Sequence, residues 1–458
     1  MIKFTSRILW VGRDGEVASY SPDYFYKRSA QACSFFTERP EEKFAVLWEA
    51  SLDALAIFAG GLMAGKKICF YSIPNFKISK NYFDSQLASL KKQGLATLGS
   101  GNFSYLGLDH SFSFDKCDNF SPRTRVYAMD FMQFSSGTTG LRKRISYSGE
   151  KLLNYIDQFS RVIGVDKKSV IASWVPHYHD EGLIYGILLP LIKGCDMICM
   201  SNLDWVMNPQ VFLDACRKYK ASFLTQPNFA YRFTYDRCRK ANLSSIKFYN
   251  VGEVVDHEDC RRFEDKFNSK VYGAYALAEA IYAITDSKDS VSQFKGVRNS
   301  GKCFGNNQVK IINDEILIRS DHLFKGYETG EESGINSQGW YRTGDHGVIK
   351  NGLLYVLGRT DDSFKVNGQK VVPELVEMEI NKVKGVKRGR LACIGVENRK
   401  GNVEAVLLYE GTISEKGLTK RTANFNITRC VKVPYGWLVK SSSGKISRKY
   451  CKRKHIAS

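Results

Sequence analysis

The segment Ser135-Ser136-Gly137-Thr138-Thr139-Gly140-Leu141-Arg142-Lys143 gathers two glycines, four hydroxyls and a lysine within nine residues. Glycines let a backbone turn tightly enough for its N–H groups to converge on an anion. The hydroxyls add donors and Lys143 adds charge, so the chemistry is that of a phosphate-gripping loop. It is not a Walker A loop, because no Gly-Lys-Ser/Thr follows the first glycine at the required spacing. Taken alone, the segment also reads as a polar surface loop.

Five further segments carry polar groups in suggestive order. Pro176-His177-Tyr178-His179-Asp180-Glu181-Gly182 contains a His-x-His-Asp run that also suits a metal site. No further His or Cys lies close by, however, and the chain has seven His in all. Asn250-Val251-Gly252-Glu253 and Tyr275-Ala276-Leu277-Ala278-Glu279-Ala280 each end near a carboxylate. By itself Glu279 reads as an ordinary helix-start carboxylate. Gly339-Trp340-Tyr341-Arg342-Thr343-Gly344-Asp345 presents another carboxylate, with two acceptor oxygens. Near the end, Ser442-Ser443-Gly444-Lys445-Ile446-Ser447-Arg448 reads by itself as part of a basic tail with Lys449, Lys452, Arg453 and Lys454.

In this order the segments resemble the signatures of the adenylate-forming superfamily: acyl-CoA synthetases, fatty acyl-AMP ligases, luciferases and peptide-synthetase adenylation domains. The Pro176–Gly182 and Pro227-Asn228-Phe229-Ala230-Tyr231 stretches are most similar to the fatty acyl-AMP ligase branch. The resemblance runs from about residue 130 to the C-terminus and implies a role for each residue. Ser135, Ser136, Gly137, Thr138, Thr139, Gly140 and Lys143 would hold the β- and γ-phosphates of ATP. His179 would lie near the reacting carboxylate. Gly252 and Glu253 would border the adenine, and Tyr275 would stack on it. Glu279 would hold Mg²⁺, and Asp345 with Arg359 would fix the ribose. Lys445 would reach the α-phosphate, where negative charge crowds in the transition state. Asp361 would be the hinge for the small domain, and the neighbourhood of Gly368 would line a thiol channel after rotation.

The resemblance implies a two-step reaction. A carboxylic acid, with an aliphatic acyl chain favoured, joins AMP from ATP with release of pyrophosphate. The acyl group then passes to a thiol, on CoA or on the phosphopantetheine arm of a carrier protein. The chain departs from the family at several points. Ala276 replaces a glycine, and Arg142 and Arg144 stand where Pro and Gly are usual, extra charge that would add to phosphate attraction. The stretch from Glu279 to Asp345 is short and leaves no room for the insertion typical of fatty acyl-AMP ligases. The region ahead of residue 135 also looks abbreviated.

Elements must bring these segments together. Phe44–Leu47 reads as a strand, followed by an Ala- and Leu-rich helix ending at Gly65 and a strand at Lys67–Tyr71. The alternation recurs with strands at Ser169–Ala172, Asp196–Cys199 and Ala221–Leu224, and helices at Ile184–Leu191 and Asn208–Tyr219. Such βαβ order predicts a mostly parallel sheet. After about residue 300, hairpins are expected at Val309–Ile318, turning at Asn313-Asp314, and at Gly347–Leu357, turning at Asn351-Gly352. The fold class is therefore α/β. A large N-terminal domain of mixed sheets with flanking helices spans 1–358, and a small mobile α+β domain spans 359–458.

Composition agrees with this reading. The 458 residues are 43% hydrophobic and 25% charged, within the globular range. Lys and Arg exceed Asp and Glu by 67 to 47, a net charge of +20 that suits anionic ligands or an acidic acyl carrier protein. The twelve cysteines form no C-x-x-C pair and read as reduced thiols of a cytoplasmic protein. The first residues lack a signal-peptide pattern, and no apolar stretch is long enough to span a bilayer. Two rival readings remain: a polyanion binder (nucleic acid or membrane surface) built on the basic tail, and a catalytically decayed adenylate-former that only binds nucleotide. No specific nucleic-acid partner is expected.

Overall fold

The computed structural model describes residues 4–72, 80–116, 129–135, 143–440 and 446–457. Apolar strands alternating with amphipathic helices build two sheets that share one core. The first sheet has the spatial order Lys270–Gly273, Lys247–Asn250, Phe223–Gln226, Val170–Ser173, Asp196–Met200, Ile8–Val11, Val17–Tyr20. All its neighbours run parallel except the terminal hairpin of Ile8–Val11 with Val17–Tyr20. The second sheet runs His110–Phe112, Ala96–Ser100, Lys43–Leu47, Lys67–Phe70, Phe131–Phe134, Arg144–Tyr147, parallel except for its last pair.

Between the sheets lie the helices Pro22–Thr37, Leu52–Met63 and Gly149–Ile163. Their inward faces, including Phe36, Phe58 and Tyr155, join Phe44, Phe131 and Ile171 from the sheets in one buried cluster. A second cluster, with Trp174, Phe212, Phe248 and Phe263, covers the opposite face of the first sheet. The apolar segments Leu52–Met63 and Glu181–Leu188, too short for a membrane, are thus interior helices buried on nearly every face. Among the described residues, no helix is long and apolar enough to cross a membrane.

The expected hairpins form with the two-residue turns named from sequence. Asn313 and Asp314 adopt φ +51° and +65°, and Asn351 and Gly352 adopt +52° and +73°. Two successive positive φ values match the twist of the flanking strands. Together they make a four-stranded antiparallel sheet of Gln308–Ile312, Glu315–Arg319, Tyr341–Lys350 and Leu353–Arg359. Beyond it, Val386–Glu397, Val403–Gly411 and Arg429–Lys432 form a three-stranded sheet. Helices Pro373–Ile380, Glu415–Arg421 and Arg448–Ile456 accompany it, with apolar clusters of its own.

Two expectations need correction. The helix placed at Ile184–Leu191 begins earlier, as a π-helical segment Glu181–Leu188 running into an α-helix Leu189–Lys193. Arg144 is not free to attract phosphate. Its side chain is buried, its Nη2 pairs with Glu328 Oε2 at 2.9 Å, and Nη1 donates to the Gln93 carbonyl at 3.0 Å. Burying a guanidinium demands such partners, so its charge is spent on holding strand Arg144–Tyr147 to residue 328. Arg142 lies outside the described residues. The eleven described cysteines are all free, and all but Cys303 are buried.

Candidate active site

Parallel strands carry their carboxyl ends to one edge, where ligands of open α/β sheets bind. Here that edge collects four of the segments named from sequence. Trp174–Gly182 follows Val170–Ser173, and Pro227–Tyr231 follows Phe223–Gln226. Val251–Glu253 follows Lys247–Asn250, and Ala274–Glu279 follows Lys270–Gly273. Polar contacts tie neighbours together. Asn250 Nδ2 donates to Asn228 Oδ1 at 2.8 Å, and the Phe229 N–H donates to Glu253 Oε2 at 3.0 Å. Glu253 thereby caps helix Asn228–Arg237, whose first N–H groups have no partner within the helix. Gly252 is exposed beside it with φ +81°.

The turn bearing Glu279 is clamped from the second sheet. Gln133 Nε2 donates to the carbonyls of Ala278 and Ile281 at 2.9 and 3.3 Å, and Tyr147 Oη donates to Ala278 O at 2.8 Å. The Glu279 carboxylate accepts from Tyr327 Oη at 2.8 Å. Lys143 Nζ stands 4.5 Å from the centre of the Tyr327 ring. Lys143 and Glu279, 136 positions apart, are thus joined through one tyrosine. Burial raises the Glu279 pKa above the ordinary carboxylate value, partly opposed by the Tyr327 hydrogen bond. A divalent cation bound there would favour the ionised form. Glu279 belongs to no cluster of three or more His, Cys, Asp or Glu arranged for a metal among the described residues. That donor set fits Mg²⁺ completed by phosphate oxygens, not a closed protein site.

Asp345 and Arg359 face each other across the strand pair Tyr341–Lys350 and Leu353–Arg359. Arg359 Nη1 lies 2.9 Å from Asp345 Oδ1, and Tyr275 Oη donates to Oδ2 at 2.5 Å. The Tyr275 ring is buried, its N–H bound to Thr285 Oγ1 at 2.9 Å. Each carboxylate oxygen retains a second acceptor site. Burial and the neighbouring Asp345 raise the Tyr275 pKa, keeping its hydroxyl a donor. The sequence named all three residues. It did not indicate that they share hydrogen bonds, nor that Tyr327 joins Glu279, since Tyr327 sits in no recognisable pattern.

In the acid-side segment, His179 is half-buried at the entry to the π-helix, where the Leu183 N–H donates to its carbonyl at 2.8 Å. Gly182 is required there: a Cβ would stand 2.2 Å from the Pro176 carbonyl oxygen. His177 points elsewhere, into a cage with Phe70 at 5.5 Å and Trp10 at 6.4 Å between ring centres. Burial drives its pKa down to about 4. The two histidines therefore serve different surroundings and do not form the metal pair that their spacing permits.

Ser136, Gly137, Thr138, Thr139, Gly140 and Lys445 lie outside the described residues, but both ends of their segments are placed. The Ser135 N–H donates to Lys143 O at 2.9 Å, extending the antiparallel pairing of Phe131–Phe134 with Arg144–Tyr147. Lys440 and Ile446, on either side of the second, pair in an antiparallel bridge. Lys440 Nζ stands 5.9 Å from the Phe229 ring centre, and the charge of Glu253 acts on it. Asp361 is an exposed turn residue.

A family model described as AMP-binding enzyme matches residues 109–328. A long-chain-fatty-acid–AMP ligase of Mycobacterium marinum is 24% identical over 509 aligned positions, covering 90% of this chain and 87% of that protein. Those positions outnumber the residues of this chain, so the relative carries extra residues between the matched ends. A medium-chain-fatty-acid–[acyl-carrier-protein] ligase of Moorena producens is 26% identical, covering 71% of this chain and 67% of the relative. Among solved structures, one from a study of fatty acyl-adenylate ligases of E. coli and L. pneumophila superposes with TM-score 0.86 at 20% identity. It covers 99% of this chain and 96% of that one.

Proposed function

Because this chain is a member of the AMP-binding, adenylate-forming enzymes, we propose that the strand-edge site couples a carboxylic acid to AMP and then yields the acyl group to a thiol. The observation that carries the reading is the junction of Asp345 with Tyr275 and Arg359, set beside the Lys143–Tyr327–Glu279 line. It offers hydroxyl acceptors at one end and phosphate partners at the other.

In the first step a carboxylate oxygen of the acid attacks the α-phosphorus of ATP, and the bond to the bridging oxygen of pyrophosphate breaks. No side-chain nucleophile is needed, since positioning and electrostatics can supply the barrier reduction. Ser135, Ser136, Gly137, Thr138, Thr139, Gly140 and Lys143 hold the departing phosphates. Asp345 and Arg359 hold the ribose, Gly252, Glu253 and Tyr275 border the base, and His179 borders the carboxylate. Lys445 offsets charge between the carboxylate and the α-phosphate. Glu279, together with the phosphates, would hold Mg²⁺, whose chemistry there would be charge neutralisation. In the second step a thiol sulfur attacks the acyl carbon, AMP leaves, and the thiol proton passes to solvent.

The domain from 359 onward turns about Asp361 between the steps. The proximity of Lys440 to Phe229 and Glu253 supports an arrangement suited to the first step. In that arrangement Lys370, in the hairpin containing Gly368, holds Nζ 3.1 Å from Asp314 Oδ2. The relatives' names support a fatty acyl substrate and a carrier-protein acceptor, and the +20 charge suits an acidic carrier. Free cysteines support a cytoplasmic setting.

The test is acid-dependent pyrophosphate release with Mg·ATP, comparing the native chain with Lys445→Ala. Release that falls by about 10²-fold or more in the variant is expected, the scale for losing one electrostatic partner of the transition state. Nucleotide binding without release from any acid would point to the decayed enzyme instead.

A further inference from the structure

Behind the acid-side segment lies a set of buried polar groups that the chemistry above does not use. Glu181 opens the π-helix and is 7% exposed; Tyr185, one turn on, is fully buried. Thr225, 2% exposed, is the penultimate residue of strand Phe223–Gln226, on the same face as Phe223, which lines the core between the sheets. Tyr282, 1% exposed, follows the Glu279 turn and packs edge-on against Phe159. Three elements thus contribute four buried polar side chains behind the acid segment.

The hydroxyls of Tyr185, Tyr282 and Thr225 have no hydrogen-bond partner among the described residues. Thr225 and Tyr282 stand close to each other without a hydrogen bond of proper geometry. The negative charge of Glu181 acts on both tyrosines. A buried hydroxyl left unpaired is destabilising, because it gives up its bonds to water without replacing them. Phenylalanine and valine would fill the same volumes without that cost, so three such groups, two of them under the charge of Glu181, mark a place where something else completes the bonds. A plain alkyl chain cannot.

We propose that the acid activated here carries a hydroxyl or amino substituent on its chain, recognised by the Tyr185, Tyr282 and Thr225 hydroxyls together with the Glu181 carboxylate. The carboxylate accepts from the substituent and the hydroxyls donate or accept as its geometry requires. The inference rests on the acid-activating reading and refines its substrate class. A site built to bond a polar substituent discriminates strongly against the analogue lacking it, because its own buried groups are left bare.

The experiment measures kcat/KM for pyrophosphate release with pairs of acids of equal chain length, one plain and one bearing a hydroxyl or amino group at successive carbons. The native chain is compared with Tyr185→Phe, Tyr282→Phe, their combination and Glu181→Gln. At least one substituted acid is expected to exceed its plain partner by about tenfold or more. That ratio should fall towards one in the double variant. The tyrosine variants should unfold, without ligand, at the same temperature as the native chain or higher, since each loses only an unpaired hydroxyl. Plain acids that match or exceed every substituted partner would overturn the inference while leaving acid activation standing. So would a preference that the variants do not alter. Release from no acid at all would overturn both.

Discussion

Asp345 illustrates how a residue acquires a role from its neighbours. A lone aspartate in a polar stretch is unremarkable; one gripped by Arg359 at 2.9 Å and Tyr275 at 2.5 Å is fixed in place with lone pairs to spare. His177 shows the reverse. Two positions from His179, it is buried among aromatic rings with its pKa near 4. The folded chain keeps it neutral, while the unfolded chain binds a proton below about 6.5. Its favourable contribution is therefore complete above that pH and is lost as the pH falls towards 4. Urea titrations at pH 7 and pH 5 should show the native chain losing about 2 kcal/mol more stability than His177→Asn over that interval. Equal losses would mean that His177 titrates normally.

At the scale of elements, the basic tail proves to be a helix with a buried foot. Arg448 opens helix Arg448–Ile456 and pairs with Asp362 at 2.7 Å, Glu374 at 2.6 Å and Glu377 at 2.7 Å. The partners come from the turn after Asp361 and from helix Pro373–Ile380, so one guanidinium ties the last helix to the start of the small lobe. Burial drives the Glu374 pKa up to about 7 against the opposing pull of Arg448. Arg448→Met should cost about 3–5 kcal/mol in the unfolding of this lobe at pH 8, the scale for stranding buried charges. The deficit should shrink at pH 5, where protonation relieves the repulsion among the carboxylates. Calorimetry at the two pH values would register both effects, and a pH-independent deficit would argue against the electrostatic cause.

At the scale of the molecule, the question is whether the chain beyond Asp361 must turn before the second step. Asp314, in the Asn313-Asp314 turn, and Lys370, in the hairpin containing Gly368, are accessible and meet at 3.1 Å. Joining Asp314→Cys to Lys370→Cys with a short bismaleimide, in a Cys303→Ser background, should hold the observed arrangement. Acid-dependent pyrophosphate release should persist, while transfer to a carrier or CoA thiol should fall more than tenfold. Undiminished transfer in the linked protein would rule out rotation about Asp361 as a requirement.

The sequence by itself determined the parallel strand–helix order, the two hairpin turns and the ordered signatures from Ser135 to Arg448. Those features are local: strand alternation, paired positive-φ turn residues and short runs of fixed spacing are written within a few positions. The tertiary structure alone decided which groups meet. It spent Arg144 on Glu328 instead of phosphate, linked Lys143 to Glu279 through Tyr327, and buried Arg448 among three carboxylates. It also enclosed the hydroxyls of Tyr185, Thr225 and Tyr282 behind the acid segment. A side chain's charge is known from its name, but the partner that uses or cancels that charge comes from another strand or helix. Sheet packing and the folding-over of the chain select that partner, and no short stretch of sequence records the choice.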